Sequence, residues 1–132
     1  MIHCGIDVGS RSIKLVFVEE AATGLAVRAR HILFPGELDL ADAVTQAYAD
    51  GLSAMGIDAA QVATVMATGA FRKLVDCADD DVTEVSSAAR GAAFVCPVAR
   101  TVIEVGAEEV RVVKNDAAGH ALDFSANDKC AS

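Results

Sequence analysis

The chain is short of basic residues and of long apolar runs, and each shortage excludes a class of function. It carries 11 Lys and Arg against 19 Asp and Glu, a net charge of −8. A nucleic-acid surface needs clustered cations to neutralise phosphates, and the basic residues here are scattered, so we expect no nucleic-acid partner. No apolar run approaches the ~20 residues that cross a bilayer. Since the first residues read directly as a strand without a charged leader, we expect a cytoplasmic protein with no membrane partner.

Closely spaced cysteines are also absent. The four cysteines, Cys4, Cys77, Cys96 and Cys130, lie far apart and form no CxxC pair. This spacing favours neither a zinc site nor a disulfide framework. In a reducing compartment we expect each to be a small buried hydrophobic residue, with the exception of Cys130.

What the chain does have is a segment, GIDVGSRSIKLV from Gly5, that reads as a strand, a tight turn and a second strand. Gly9 can take a positive φ and bring the backbone close to a ligand. The hydroxyls of Ser10 and Ser12, with neighbouring backbone N–H groups, can donate to phosphate oxygens, and Asp7 can hold a magnesium ion. The alternative is an ordinary hairpin in which the Asp and Ser side chains serve only the turn.

A second segment, IEVGAEEVRVV from Ile103, aligns with the first without a gap. Glu104 takes the place of Asp7, and Gly106 that of Gly9. Arg111 takes the place of Lys14, which could face phosphate or solvent. The match predicts a duplicated architecture in which a phosphate chain is clasped from both sides. Chance remains the alternative, because β-hairpins share apolar alternation and turn glycines.

The apolar pattern predicts an α/β fold with the element order βββαβα followed by βββ. Strands are predicted at Ile2–Val8, Ile13–Glu19, Leu25–Leu33, Val62–Ala67, Thr101–Val105, Val110–Asn115 and Ala121–Ser125, and helices at Leu38–Met55 and Val82–Val95. Gly69 lies in the turn after the fourth strand, at a carboxyl end where ligands bind in open α/β sheets. We interpret the acidic segment from Asp76 to Asp81 as a solvated surface connection.

The second group of strands predicts an incomplete domain. We assign residues 1–98 to a first subdomain and residues 101–132 to the start of a second one. No helix follows the second group to cover its sheet, and an apolar sheet exposed on both faces is unstable. We therefore expect the sequence to be interrupted.

Taken in order along the chain, four segments resemble the BadF/BadG/BcrA/BcrD ATPase family. They are GIDVGSRSIKLV, ATGAFRK from Ala67, VTEVSSAARGAAFVCPVARTVIEVGAEE from Val82, and NDKCAS from Asn127. This family includes the 2-hydroxyacyl-CoA dehydratase activators and the ATPase subunits of benzoyl-CoA reductases. The resemblance implies an actin-like, ribonuclease-H-like ATPase fold that binds ATP between two related domains.

The resemblance also implies roles for individual residues. Asp7 and Glu104 would be catalytic, with Asp7 holding Mg²⁺, and the residues that contact ATP or ADP would be Gly9, Ser10, Ser12, Lys14, Gly69 and Gly106. Cys130 would bind a [4Fe-4S] cluster shared with a homologous subunit in a homo- or heterodimer, the alternative being a free thiol. ATP turnover would drive a low-potential electron into a CoA-thioester reductase or dehydratase.

Two positions depart from the family pattern, Glu104 where Asp is usual and Phe71 where Gly is usual. The segments that supply a second cluster cysteine and the adenosine-binding glycines in the family have no match here, so we expect this chain alone to be inactive. A sugar kinase of the N-acetylglucosamine type on the same scaffold, and a degenerate non-catalytic ATPase module, remain open as alternatives. The sequence does not decide which CoA ester or acceptor enzyme is served.

Overall fold

The structure, a computed structural model, describes residues 1–107 and 109–127. By its internal contacts the chain divides into two units, Met1–Val82 and Thr83–Ser132. The first unit contains a five-stranded sheet in the order β3-β2-β1-β4-β5. Its strands are β1 (Ile2–Val8), β2 (Ile13–Ala21), β3 (Gly24–Leu33), β4 (Val62–Thr68) and β5 (Asp80–Asp81). The first three strands are antiparallel, whereas β4 runs parallel to β1 and β5 runs parallel to β4.

Helix α1 (Leu40–Met55) covers one face of this sheet. It begins where the Asp39 carboxylate accepts a hydrogen bond from the Ala41 backbone N–H at 2.9 Å, and it ends at Gly56, whose φ of 66° suits glycine. The fully buried Phe17 stacks on Tyr48 of this helix with ring centroids 6.5 Å apart. Alternate residues of β1 and β2 thus form the core against α1, while their neighbours face the other side.

The second unit contains helix α2 (Glu84–Val95) and an antiparallel sheet, β6 (Thr101–Val105), β7 (Val110–Asn115) and β8 (Ala121–Asn127), in the order β6-β7-β8. Thr83 caps α2, because its hydroxyl accepts from the Ser86 N–H at 3.2 Å. Helix α2 contacts all three strands, and Arg111, Val113 and Asn115 are buried at alternate positions of β7. The expectation that the second sheet is exposed on both faces is therefore wrong, because α2, which precedes the sheet in the chain, covers one of them.

The predicted helices and long strands are confirmed to within two residues at each end. Three short elements were not predicted, namely β5 and the 3₁₀ helices Ala59–Gln61 and Arg72–Leu74. The unit boundary at Val82 groups α2 with the second sheet, whereas the sequence placed it in the first subdomain. The assignment of residues 1–98 and 101–132 to two ATPase subdomains stays a prediction.

Within residues 1–107 and 109–127, none of the helices has both the length and the apolar character that crossing a bilayer requires.

We predict that Phe17→Ala lowers the free energy of unfolding by about 3–5 kcal/mol, because the ring is fully buried between β2 and α1. Urea denaturation followed by circular dichroism measures the change. Phe34→Ala is the matched control, since Phe34 is 74% exposed, and it should change stability by less than about 0.5 kcal/mol. Equal losses in the two variants would contradict the assigned core.

Candidate functional site

The first part of the site forms where β1 and β4 end side by side. These strands are parallel and pair Asp7 with Thr68, so their carboxyl ends lie at the same edge of the sheet. Gly69 follows with a φ of 97°, and a Cβ added there would lie 2.4 Å from the Val8 carbonyl oxygen and 2.6 Å from Asp7 Oδ1. The Phe71 N–H donates to the same Val8 carbonyl at 3.0 Å. Asp7 and Gly69, both predicted site residues, therefore lie in direct contact.

Phe71 departs from the family pattern without disturbing this turn. Its φ is −109°, a value open to any residue, so the position needs no glycine. Its side chain is 41% exposed. The residue that needs to be glycine here is Gly69.

The turn of the first hairpin lies beside this contact. The Gly9 N–H donates to the Ser12 carbonyl at 3.1 Å and closes a four-residue turn that leaves Ser10 exposed. Gly9 is not among the glycines with positive φ, so the turn does not use the left-handed conformation that a glycine permits. A Cβ at Gly9 would lie 3.3 Å from the Ser12 carbonyl oxygen, which is tighter than usual contact. The glycine keeps the turn narrow.

Asp7 and Lys14 pair across β1 and β2 at the mouth of the hairpin. Lys14 Nζ lies 3.1 Å from Asp7 Oδ2, with the side chains 51% and 37% exposed. Lys14 thus lies beside the turn on the same face as Asp7. An ion pair this exposed contributes about 0–1 kcal/mol, so a ligand can displace it.

The second hairpin repeats this geometry. The Gly106 N–H donates to the Glu109 carbonyl at 2.8 Å, and a Cβ at Gly106 would lie 3.3 Å from that oxygen, as at Gly9. Glu104 pairs with Arg111 across β6 and β7, with Arg111 Nη1 3.0 Å from Glu104 Oε2. The repeat in the sequence therefore extends to the turn closure and to the cross-strand pair of a carboxylate with a cation.

The cation of the second hairpin has a different environment from Lys14. The Arg111 side chain is 9% exposed, and its Nη2 also lies 3.3 Å from Glu84 Oε2 on α2 and 2.5 Å from Glu109 Oε1 in the turn. Burial alone would lower the pKa of Arg111, but the three carboxylates outweigh burial and raise it. This cluster is not predicted from the sequence. The one available signal is the alternation along β7, which places Arg111 on the same buried face as Val113.

A second ion-pair network holds the turn that contains Gly69. Arg72 Nε lies 2.7 Å from Asp81 Oδ1, and Arg72 Nη1 donates to the Gly69 carbonyl at 3.2 Å. Lys73 also contacts Asp81, and hydrogen bonds from Lys73 and Arg72 lower the pKa of the Asp81 carboxyl. Asp79 Oδ2 accepts from the Val65 N–H at 2.7 Å. The acidic segment is largely exposed, in agreement with its interpretation as a solvated surface connection. Its last two residues also form β5 at the edge of the sheet, and Asp81 braces the Gly69 turn through Arg72.

The cysteines divide by environment. Cys4 is buried, and burial together with the nearby Cys77 raises its pKa to about 12. Cys77 and Cys96 are exposed, so the expectation that they are buried is wrong. Cys130 lies outside the described residues, as does its predicted role as a cluster ligand.

Over residues 1–107 and 109–127 there is no group of three or more His, Cys, Asp or Glu side chains that could hold a metal ion. Magnesium bound with a nucleotide commonly takes only one or two carboxylates, with waters and phosphate oxygens completing its shell. The partly exposed Asp7 suits such a ligand.

Comparison with known proteins identifies the family of this chain. Residues 4–132 match the sequence profile described as the BadF/BadG/BcrA/BcrD ATPase family. The chain belongs to this family. The uncharacterised protein YjiL of Escherichia coli is 36% identical over 128 residues, covering 97% of this chain and 47% of YjiL. The activator of lactoyl-CoA dehydratase of Anaerotignum propionicum is 30% identical over 132 residues, covering 100% and 49%. The chain thus spans about half the length of these curated relatives.

Two solved structures share the fold of this BadF/BadG/BcrA/BcrD chain. One is component A of the (R)-2-hydroxyglutaryl-CoA dehydratase of Acidaminococcus fermentans, with a TM-score of 0.89 and 28% identity over 100% of this chain and 49% of the other. The other is the activator of the 2-hydroxyisocaproyl-CoA dehydratase from Clostridium difficile with bound ADPNP, with a TM-score of 0.85 and 28% identity over 99% and 47%. The predicted actin-like α/β fold is confirmed.

We predict that Gly69→Ala is strongly destabilising. A methyl group there would overlap the Val8 backbone and the Asp7 carboxylate, and it would occupy a left-handed conformation. The overlap and the backbone strain together should cost roughly 2–5 kcal/mol, measured by thermal or urea unfolding. Gly24→Ala is the control, because Gly24 has a φ of 112° with no atom within 4 Å of the added Cβ. If Gly69→Ala lowers the free energy of unfolding no more than Gly24→Ala does, the close contact with Val8 and Asp7 is not what requires glycine at position 69.

The thiols should also differ in reactivity. At pH 8 we expect iodoacetamide to alkylate the exposed Cys96 and, more slowly, Cys77, because partial burial of the Cys77 thiol and the nearby Asp76 and Asp79 raise its pKa. Cys4 should stay unmodified because it is buried and protonated well above this pH. Peptide mapping by mass spectrometry measures each site, and alkylation in urea shows that Cys4 becomes accessible on unfolding. Native labelling of Cys4 at the rate of Cys96 would contradict the structure.

Proposed function

We propose that this chain is the N-terminal part of an ATP-hydrolysing electron activator. The observation that carries the proposal is the shared geometry of the two hairpins, each a glycine-closed turn with a carboxylate and a cation paired across its strands. The solved activator with bound ADPNP supports nucleotide binding by this family. In this proposal each hairpin supplies one phosphate loop.

The proposed phosphate contacts come chiefly from the turns. In the first turn, Gly9 keeps the loop narrow, and the Ser10 and Ser12 hydroxyls with adjacent N–H groups donate to phosphate oxygens. In the second, the backbone around Gly106 has the same role. Lys14 releases Asp7 and binds a phosphate oxygen instead, because its ion pair with Asp7 is exposed and therefore weak. Gly69 allows the backbone to lie against Asp7 where the nucleotide binds.

Asp7 and Glu104 are the proposed catalytic carboxylates. Phosphoryl transfer needs positioning and charge neutralisation more than covalent chemistry from the protein. Mg²⁺, when bound, neutralises phosphate charge, and Asp7 is its proposed protein ligand. Glu104 orients the attacking water, and its longer side chain is held in place by Arg111.

The remaining parts of the proposal concern the electron. Cys130 is a ligand of a [4Fe-4S] cluster shared with a homologous subunit, and thiolate is the usual protein ligand of such clusters. A cluster held there would supply a low-potential electron to a cytoplasmic CoA-thioester reductase or dehydratase, and ATP turnover by this protein would power that transfer. The chain alone does not supply a complete cluster site.

We predict that Asp7→Asn weakens binding of Mg-ATP at least about tenfold, or 1.4 kcal/mol, because it removes the charge that holds magnesium while keeping the side-chain size. Isothermal titration calorimetry on the product of the full reading frame measures the affinity with and without Mg²⁺. Binding of ATP without Mg²⁺ should change much less.

Asp42→Asn is the matched control, since Asp42 is exposed in the first turn of α1. It should bind Mg-ATP as the unaltered protein does. Equal affinities of Asp7→Asn and the unaltered protein would refute the role of Asp7. Absence of ATP binding or turnover in the unaltered protein would support a degenerate module instead, and turnover that requires an amino sugar would support a kinase.

A further test concerns the cluster. Anaerobic reconstitution of the product of the full reading frame with iron and sulfide should give a [4Fe-4S] absorption band that Cys130→Ala abolishes and Cys96→Ala leaves intact. A band that survives Cys130→Ala would remove the electron-activator proposal while leaving nucleotide binding untouched.

A further inference from the structure

The second hairpin has more negative charge around its turn than the first. The turn and its flanking strand carry Glu104 and Glu109, and Glu84 of α2 lies against the same guanidinium. Three carboxylates so close to a proposed phosphate loop would repel a polyphosphate and one another. Arg111 is the only Lys or Arg that the structure pairs with any of these three carboxylates within the described residues.

Arg111 suits this task by its chemistry and its burial. Guanidinium is planar, carries five donors and stays charged, so it can serve several carboxylates at once. It is 9% exposed, which makes its pairs far less screened than that of Lys14, which is 51% exposed. Its three partners come from a strand, a turn and a helix, so it joins the loop to α2.

Resting on the proposed function, we infer that Arg111 is a positioning residue of the second phosphate loop. It fixes the Glu104 carboxylate and the Gly106 turn against α2, and its single positive charge offsets part of the negative charge that would otherwise weaken binding of a nucleotide's phosphates. Arg111 does not itself contact the nucleotide. The Lys14 position of the first hairpin carries a displaceable cation, whereas the Arg111 position carries a fixed one.

The inference is tested first without nucleotide. In Arg111→Met, hydrogen exchange at the Gly106 amide, which donates to Glu109, should be at least about tenfold faster, because breaking a buried ion pair leaves uncompensated carboxylates. Arg111→Lys should give an intermediate rate. Arg28→Met is the control, since the Arg28 pair with Glu19 is exposed, and its Gly106 exchange should match that of the unaltered protein.

The second measurement is the affinity for Mg-ATP against salt concentration. At low salt Arg111→Met should bind at least about tenfold more weakly than the unaltered protein. The ratio of the two affinities should shrink as the salt concentration rises from about 0.05 M to about 0.5 M, because salt screens the repulsion between the unpaired carboxylates and the phosphates. A residue that only supports the fold would not produce this salt-dependent recovery.

Each outcome decides a separate point. Unchanged Gly106 exchange in Arg111→Met overturns the positioning role whatever the nucleotide does. Faster exchange with unchanged affinity, or an affinity ratio that is constant with salt concentration, also overturns it. Lack of ATP binding by the unaltered protein refutes the proposed function, while the exchange result still reports on Arg111. If Arg111→Met does not fold, Glu84→Gln decides, because it keeps Arg111 and should still raise Gly106 exchange about threefold.

Discussion

The first unit depends on the close approach of the Gly69 backbone to the end of β1. Parallel pairing of β1 with β4 brings the two carboxyl ends together, and the absence of a side chain at Gly69 lets the turn lie against Asp7 and Val8. Arg72 then ties the Gly69 carbonyl to Asp81, while Asp79 and β5 anchor the following segment to β4. A short acidic edge thus holds the turn that positions the Asp7 carboxylate.

The two hairpins show how one sequence pattern produces two electrostatic environments. Both close through a glycine N–H and a carbonyl three residues later, and both pair a carboxylate with a cation across the strands. In the first unit the pair lies at a partly exposed sheet edge. In the second, α2 packs against β7 and buries the cation. The difference arises from the neighbouring helix and not from the hairpin itself.

Much of this could be predicted from the sequence, because it rests on local rules. Alternation predicted the strands, and the ungapped match of the two segments predicted the repeat of the hairpin. The missed features depend on contacts distant in sequence. The pair of Arg72 with Asp81 requires β5 to pair with β4. The cluster around Arg111 requires α2 to pack against β7. Likewise the exposure of Cys77 and Cys96 could not be predicted, because composition does not show which side chains are exposed.

The choice between lysine and arginine at the matched position follows from burial. An ammonium at the Lys14 position is strongly hydrated when exposed, so it would lose little by releasing Asp7 for a phosphate oxygen, as the proposed function requires. At the Arg111 position a single ammonium has three donors to serve three carboxylates from different directions, and it would be costly to desolvate. Guanidinium meets both demands, because its donors are spread over a plane and its charge is delocalised. A buried cation that serves three elements has no equally good second position, so Arg111 stays with its three carboxylates, whereas the exposed Lys14 can change partners.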